Sequence, residues 1–143
     1  MFTLEDAVAI ATAAHDGQTD LSGHPYIGHP LRVMASVTTE HEKMAAVLHD
    51  VVEDTPVTAG DLLARGCPPA VVDAVVALSH LPDEPQEDYL RRVAANPLAL
   101  TVKHADISDN LSPARVARLD PATRDRLRAK YARALRLLDE YVS

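Results

Sequence analysis

The chain has 143 residues, the usual size of one domain. Apolar residues make up 47% of it and aromatics only 3%, so a single core must be built from Ala, Val and Leu. The net charge of −7 argues against binding a nucleic-acid polymer, no apolar run is long enough to span a bilayer, and the lone Cys67 rules out an intrachain disulfide.

The N-terminus, Met1-Phe2-Thr3-Leu4-Glu5-Asp6, is acidic and lacks the basic start and apolar run of a signal peptide, so a cytoplasmic protein is expected. Thr3 can cap a first helix, with Glu5 and Asp6 well placed in its first turn. Leu4, Ala7, Val8, Ala11 and Ala14 recur with helical spacing, and Gly17 offers a stop. Residues 18–28 are rich in turn formers and also hold His24 and Tyr26. Pro30 suits the first turn of a second helix, with Leu31, Met34, Ala35 and Thr38 on its inner face.

A third helix is expected from near Glu40 to about Asp54, with Met44, Val47, Leu48 and Val51 as its apolar stripe. Thr58 caps a short fourth helix through Ala64, stopped by Gly66. Pro68-Pro69 opens a fifth, carrying Val71, Val72, Val75, Val76 and Leu78. That β-branched run also suits a strand, but a lone strand would have no partner. A loop at 82–86 and a short helix near Glu87–Ala95 follow. Asn96-Pro97 is a start signal for a helix reaching about Asn110, and Pro113 interrupts the chain. Asp120-Pro121 opens the last helix, striped by Leu127, Tyr131, Ala134, Leu135 and Leu138. Eight of the fourteen Lys and Arg residues lie after residue 110, and the simplest reading of them is a solvated helix face. The expectation is an all-α, compact single domain over residues 1–143, a bundle of about seven to nine helices.

Three segments carry candidate chemistry. In Leu48-His49-Asp50-Val51-Val52-Glu53-Asp54, helical spacing would make neighbours of His49 and Glu53, and of Asp50 and Asp54. Two readings are open for this segment. Three carboxylates so close repel unless a cation joins them, and a divalent metal would do so with imidazole and carboxylate ligands. The other reading is a solvated acidic helix end. In Val102-Lys103-His104-Ala105-Asp106-Ile107-Ser108-Asp109-Asn110, Asp106 and Asn110 project from one side of a helix. In Gly23-His24-Pro25-Tyr26-Ile27-Gly28-His29-Pro30, a proline stiffens the backbone that holds His29.

Together with Ala14-His15-Asp16-Gly17-Gln18, these segments resemble the HD superfamily of metal-dependent phosphohydrolases, and within it the hydrolase domain of Rel/SpoT enzymes and the small alarmone hydrolases. The resemblance implies the HD-domain fold, with His29, His49, Asp50 and Asp106 as ligands of one divalent ion, Mn²⁺ by expectation. It makes Glu53 and Asp54 the pair that positions and activates water. Asn110 would face the nucleotide, and Tyr131 would match a substrate-contacting tyrosine on a late helix. Tyr26 is a further candidate contact, and Lys103 and Arg32 are candidates for neutralising phosphate. The implied activity is removal of phosphate or pyrophosphate from a small phosphorylated nucleotide, as in (p)ppGpp 3′-pyrophosphohydrolases. The alternative is a nucleotide-binding or sensory module with little turnover, against which the intact Glu53 and Asp54 speak.

The family's basic residue before the Ser-Gly of the first motif, which packs on guanine, is replaced here by Asp20. Ile107 and Ser112 stand at two other positions that are often basic. These departures predict weak action on guanosine tetraphosphate and a preference for another nucleotide. His15 is expected to be structural, and His41, His80 and His104 to be surface or packing residues.

Overall fold

Helix starts fall where the sequence carries caps in the computed structural model, which describes residues 1–142. Thr3, Thr39 and Thr58 each accept the backbone N–H three residues on, while Asp6, Glu42 and Asp61 reach back to the cap N–H. These three capping boxes satisfy donors that a helix start otherwise leaves bare. They open α1 (Leu4–Ala14), α3 (Glu40–Leu48) and α5 (Ala59–Ala64), with α2 (Gly28–Ala35) and α4 (Val51–Asp54) between them. Prolines in the first turn open α6 (Pro69–Ala77) and α8 (Pro97–Asn110), on either side of α7 (Gln86–Ala94). Asn96 caps α8 by accepting the Ala99 N–H at 3.0 Å. The single turn α9 (Pro113–Val116) and the long α10 (Pro121–Val142) complete the order.

The expected all-helical bundle is observed, and no strand occurs among the described residues, where the only pairing is one isolated bridge between Thr19 and Pro25. The valine-rich segment is helical: Val71, Val72 and Val75 are buried and Val76 faces out. The other differences from expectation are local. The third helix does not run through to Asp54 but breaks at His49-Asp50, where Asp50 takes φ −101° and ψ −1°. The second helix starts two residues before Pro30, and Ala35 and Thr38, expected inside, are exposed; Val33 is the residue it buries fully. Pro113 opens a short helix as well as ending the preceding one.

Helix α3 is the centre of the molecule. Met44, Ala45, Ala46, Val47 and Leu48 are all buried, and α1, α2, α6 and α8 pack around them. The small Ala45 and Ala46 let those neighbours come close, which is how a core poor in aromatics reaches dense packing. Each large aliphatic side chain buried here, such as Leu48 or Val47, stabilises the fold by roughly 1.5–3 kcal/mol before entropy costs. The consequence for function is positional. The buried C-terminal half of this helix leads into His49 and Asp50, between the start of α2 and the second half of α8.

Candidate metal centre and cleft

His29 and His49 are both buried, at 3% and 2% exposure, and their rings lie 5.3 Å apart. His29 enters on the first turn of α2, and His49 follows the last residue of α3. Asp50 comes from the break after α3, and Asp106 from the buried side of α8. Their polar atoms converge. The Asp106 Oδ1 lies 2.7 Å from His29 Nε2 and 3.3 Å from His49 Nε2, and Asp50 Oδ2 lies 3.1 Å from His49 Nε2.

The chemistry of this cluster fits a cation. His49 Nδ1 lies 2.5 Å from the Ala46 carbonyl, so it carries the ring proton and donates it there. Nε2 then holds a lone pair, buried, with no hydrogen-bond partner, although two carboxylate oxygens stand close by. A lone pair among carboxylates is unfavourable unless a proton or a metal ion joins them. The candidate ligand atoms of His29, His49 and Asp50 lie within 4.8 Å of one another. That is near the span of atoms each about 2 Å from one ion.

Charge acts in the same direction. Burial alone would lower the basicity of both imidazoles, but the facing carboxylates reverse this and raise it, for His49 well above the ordinary value. Burial would likewise raise the Asp106 carboxyl, yet Lys103 and the two imidazoles hold it well below the usual range. The cluster therefore attracts positive charge at neutral pH.

Glu53 and Asp54 project from α4 beside Asp50, with one carboxylate oxygen of each within 4.8 Å of the others in the trio. Partial burial raises both carboxyls, and the nearby Asp50 adds to this. Glu53 Oε1 accepts the His80 N–H at 2.5 Å, which fixes its direction. Asp54 lines the cleft beside it, and both residues are exposed on its open side.

These groups form the floor of a cleft of about 410 Å³. The loop at Thr19–Ser22 forms one wall, and Leu119, Leu127, Lys130 and Tyr131 form the opposite wall. A recess of about 110 Å³ behind Asp106 and Lys103 reaches His80, Gln86 and Tyr89. Asn110 lines the main cleft, with Nδ2 donating to Asp106 Oδ1 at 3.3 Å. Tyr26 and Lys103 line it too, but each has a polar partner within the protein. The Tyr26 hydroxyl donates to Asp50 Oδ2, and Lys103 Nζ donates to Asp106 Oδ2 at 3.2 Å. Arg32, by contrast, does not reach the cleft, and pairs with Asp109 at 3.0 Å.

Asp20 stands on the cleft wall with one carboxylate oxygen engaged. Its Oδ1 accepts the N–H groups of Ser22 and His24, at 2.9 and 3.0 Å, and so closes its own loop. His15 is buried against Gln18 and Tyr26, and His80 stacks on Tyr89 with centroids 4.5 Å apart. His41 and His104 are exposed. Two residues that motif reasoning did not single out stand at the site. Asp109 lies 2.7 Å from His29 Nδ1, and Arg115 Nη1 donates to Asp109 at 2.9 Å and to Asn110 at 2.8 Å. The spacing Asp106-x-x-Asp109 is a helical i, i+3 repeat and could have flagged the first. Arg115 carries no local signal.

Comparison with known proteins gives one consistent picture. No protein-family model matches the chain. It is 49% identical over 63 residues to the bifunctional (p)ppGpp synthase/hydrolase SpoT of Escherichia coli K12, a stretch covering 41% of this chain and 9% of that protein. It is 32% identical over 119 residues to the guanosine-3′,5′-bis(diphosphate) 3′-pyrophosphohydrolase of Aquifex aeolicus, covering 76% of this chain and 17% of the relative. The chain thus spans less than a fifth of the length of these two relatives. Among solved structures it matches a metazoan SpoT orthologue described as hydrolysing ppGpp. The TM-score is 0.78 at 25% identity, covering 94% of this chain and 84% of that one.

Proposed function

From its Rel/SpoT-like HD hydrolase domain, we propose that this chain is a divalent-metal-dependent phosphohydrolase acting on a small phosphorylated nucleotide. The observation that carries the reading is the buried, unpartnered Nε2 of His49 among His29, Asp50 and Asp106, with Glu53 and Asp54 beside it. His29, His49, Asp50 and Asp106 would hold the ion, with Mn²⁺ the proposed resident. When bound, such an ion lowers the pKa of a water and offsets charge on a phosphoryl oxygen.

The remaining steps belong to the protein's own groups. Glu53, held by the His80 N–H, and Asp54 on the open side orient the attacking water and accept its proton. Their raised carboxyls are better bases than ordinary ones. Tyr26 holds the Asp50 carboxylate in place, and Lys103 holds Asp106. Lys103 therefore acts mainly on a ligand, while Arg115 and Lys130 on the cleft rim stand where a nucleotide's phosphates would pass. Asn110 and Tyr131 complete the substrate wall.

The names of the relatives point to a 3′-pyrophosphate as the group released, and we take that as the leading substrate class. Base recognition differs from the family pattern, because the loop position that usually carries a base-packing cation holds Asp20. The test is a panel of phosphorylated nucleotides, guanosine tetraphosphate included, incubated with Mn²⁺-loaded protein, with the products identified. Release of phosphate or pyrophosphate from one of them, abolished in His49→Ala and Asp50→Ala, is the expected result. Wild-type protein that binds the ion yet releases neither product from any nucleotide would leave a binding module instead.

A further inference from the structure

One carboxylate at the centre has no part in the reading above. Asp109 lies on α8 one turn beyond Asp106, and the two bracket a single imidazole. Asp106 Oδ1 is 2.7 Å from His29 Nε2, and Asp109 Oδ2 is 2.7 Å from His29 Nδ1. Asp109 is itself fixed from two sides. Its Oδ1 accepts Arg32 Nε at 3.0 Å, and its Oδ2 accepts Arg115 Nη1 at 2.9 Å. Three elements, α2, α8 and α9, thus meet on one carboxylate that is mostly buried.

We propose that Asp109 is a positioning residue of the metal centre, which holds the His29 Nδ1–H and so keeps the Nε2 lone pair directed at the ion. The inference rests on the metal-dependent reading above. A neutral imidazole has one proton and two nitrogens, and only the tautomer protonated at Nδ1 can ligate through Nε2. A carboxylate 2.7 Å from Nδ1 demands a proton there; Asp106 stands equally close to Nε2, but a cation shared by Nε2 and Asp106 would meet that demand and leave the ring proton to Nδ1. Arg115 Nη1 also stands 3.1 Å from Nδ1 and would favour the opposite tautomer, but its shorter bonds run to Asp109 and Asn110. Arg115 thereby acts on the carboxylate and not on the ring.

His49 provides an internal comparison. Its Nδ1–H is also fixed, but by the Ala46 carbonyl of its own helix. Both imidazoles therefore present Nε2 to the same point, one anchored by a neutral carbonyl and the other by an anion. An anionic anchor also makes the ligating nitrogen a stronger donor. The arrangement gives α8 two roles in one turn: Asp106 meets the ion and Asp109 orients the histidine opposite.

The test is titration of metal-free protein with Co²⁺, followed by visible absorption, with Mn²⁺ affinity measured by calorimetry. Wild type should bind one ion. Asp109→Ala should weaken binding about 10- to 100-fold and alter the Co²⁺ band intensities. Asp109→Asn keeps an acceptor oxygen without the charge, and its affinity should fall between the two. An affinity for Asp109→Ala within about twofold of wild type would overturn the proposal while leaving the metal-dependent reading intact. Should Asp109→Ala fail to fold, Asp109→Asn decides in its place, and a wild-type affinity and spectrum there would overturn the proposal. Wild-type protein that binds neither ion would overturn both readings together.

Discussion

Glu53 and Asp54 follow Asp50 so closely that the proposed ligand and the proposed base share one helical turn, yet substitution should separate their tasks. Glu53→Gln removes the proton acceptor but keeps an oxygen able to take the His80 N–H. It should retain a full complement of metal and lose about 10²- to 10⁴-fold in kcat. Metal content measured beside turnover checks both halves, and near-normal kcat would remove Glu53 from the mechanism. The four candidate ligands and this pair were legible because they fall in three short motifs. Asp109 and Arg115 were not, because their meaning depends on His29, which lies 80 and 86 residues away in the chain. Asp20 teaches the converse. The sequence shows a carboxylate where the family pattern has a base-packing cation, and only the structure shows that this residue of the cleft wall also closes its own loop through two backbone N–H groups. Asp20→Arg would therefore disturb the loop as well as change its charge.

At the level of helices, starts were more legible than ends. Thr39 and Glu42 specify their capping box within four residues, so no tertiary knowledge is needed to see it. The break after Leu48 is different. His49 and Asp50 carry no glycine or proline, and the interruption goes with the burial of both side chains in the candidate metal cluster. The single turn at Pro113–Val116 was hidden for a similar reason: a proline reads equally as a stop and as a start. The Glu42 cap supports a pH prediction. Its carboxylate accepts the N–H groups of Thr39 and Thr38, which lowers its pKa below the ordinary value. A lowered folded-state pKa gives stability that is full above the unfolded value, about 4.3, and is lost as pH falls through the folded one. Glu42→Gln should accordingly lower Tm at pH 7, and its Tm should approach that of wild type as the pH falls progressively below the unfolded value. A constant difference across that range would show that charge is not what Glu42 contributes.

For the molecule as a whole, Cys67 supplies a clock. It is the only cysteine, sits buried between α5 and α6, and burial pushes its thiol up to about 11. The native thiol is thus both hidden and protonated, and a disulfide reagent can reach it only during an opening of the structure. If that opening is global, the labelling rate under native conditions should fall about 10³-fold or more below that of the unfolded chain. The candidate metal centre draws on other elements than the α5–α6 corner, yet a cation held by α2, α3 and α8 would be released by the same event. Mn²⁺ at about 100 times its Kd should then slow labelling by about 100-fold, equivalent to about 2.7 kcal/mol, and EDTA should abolish the effect. Labelling indifferent to the ion would mean that the α5–α6 corner opens by itself while the centre stays closed. A single thiol in the core would in that way time, without denaturant, how often the whole protein lets go of its metal.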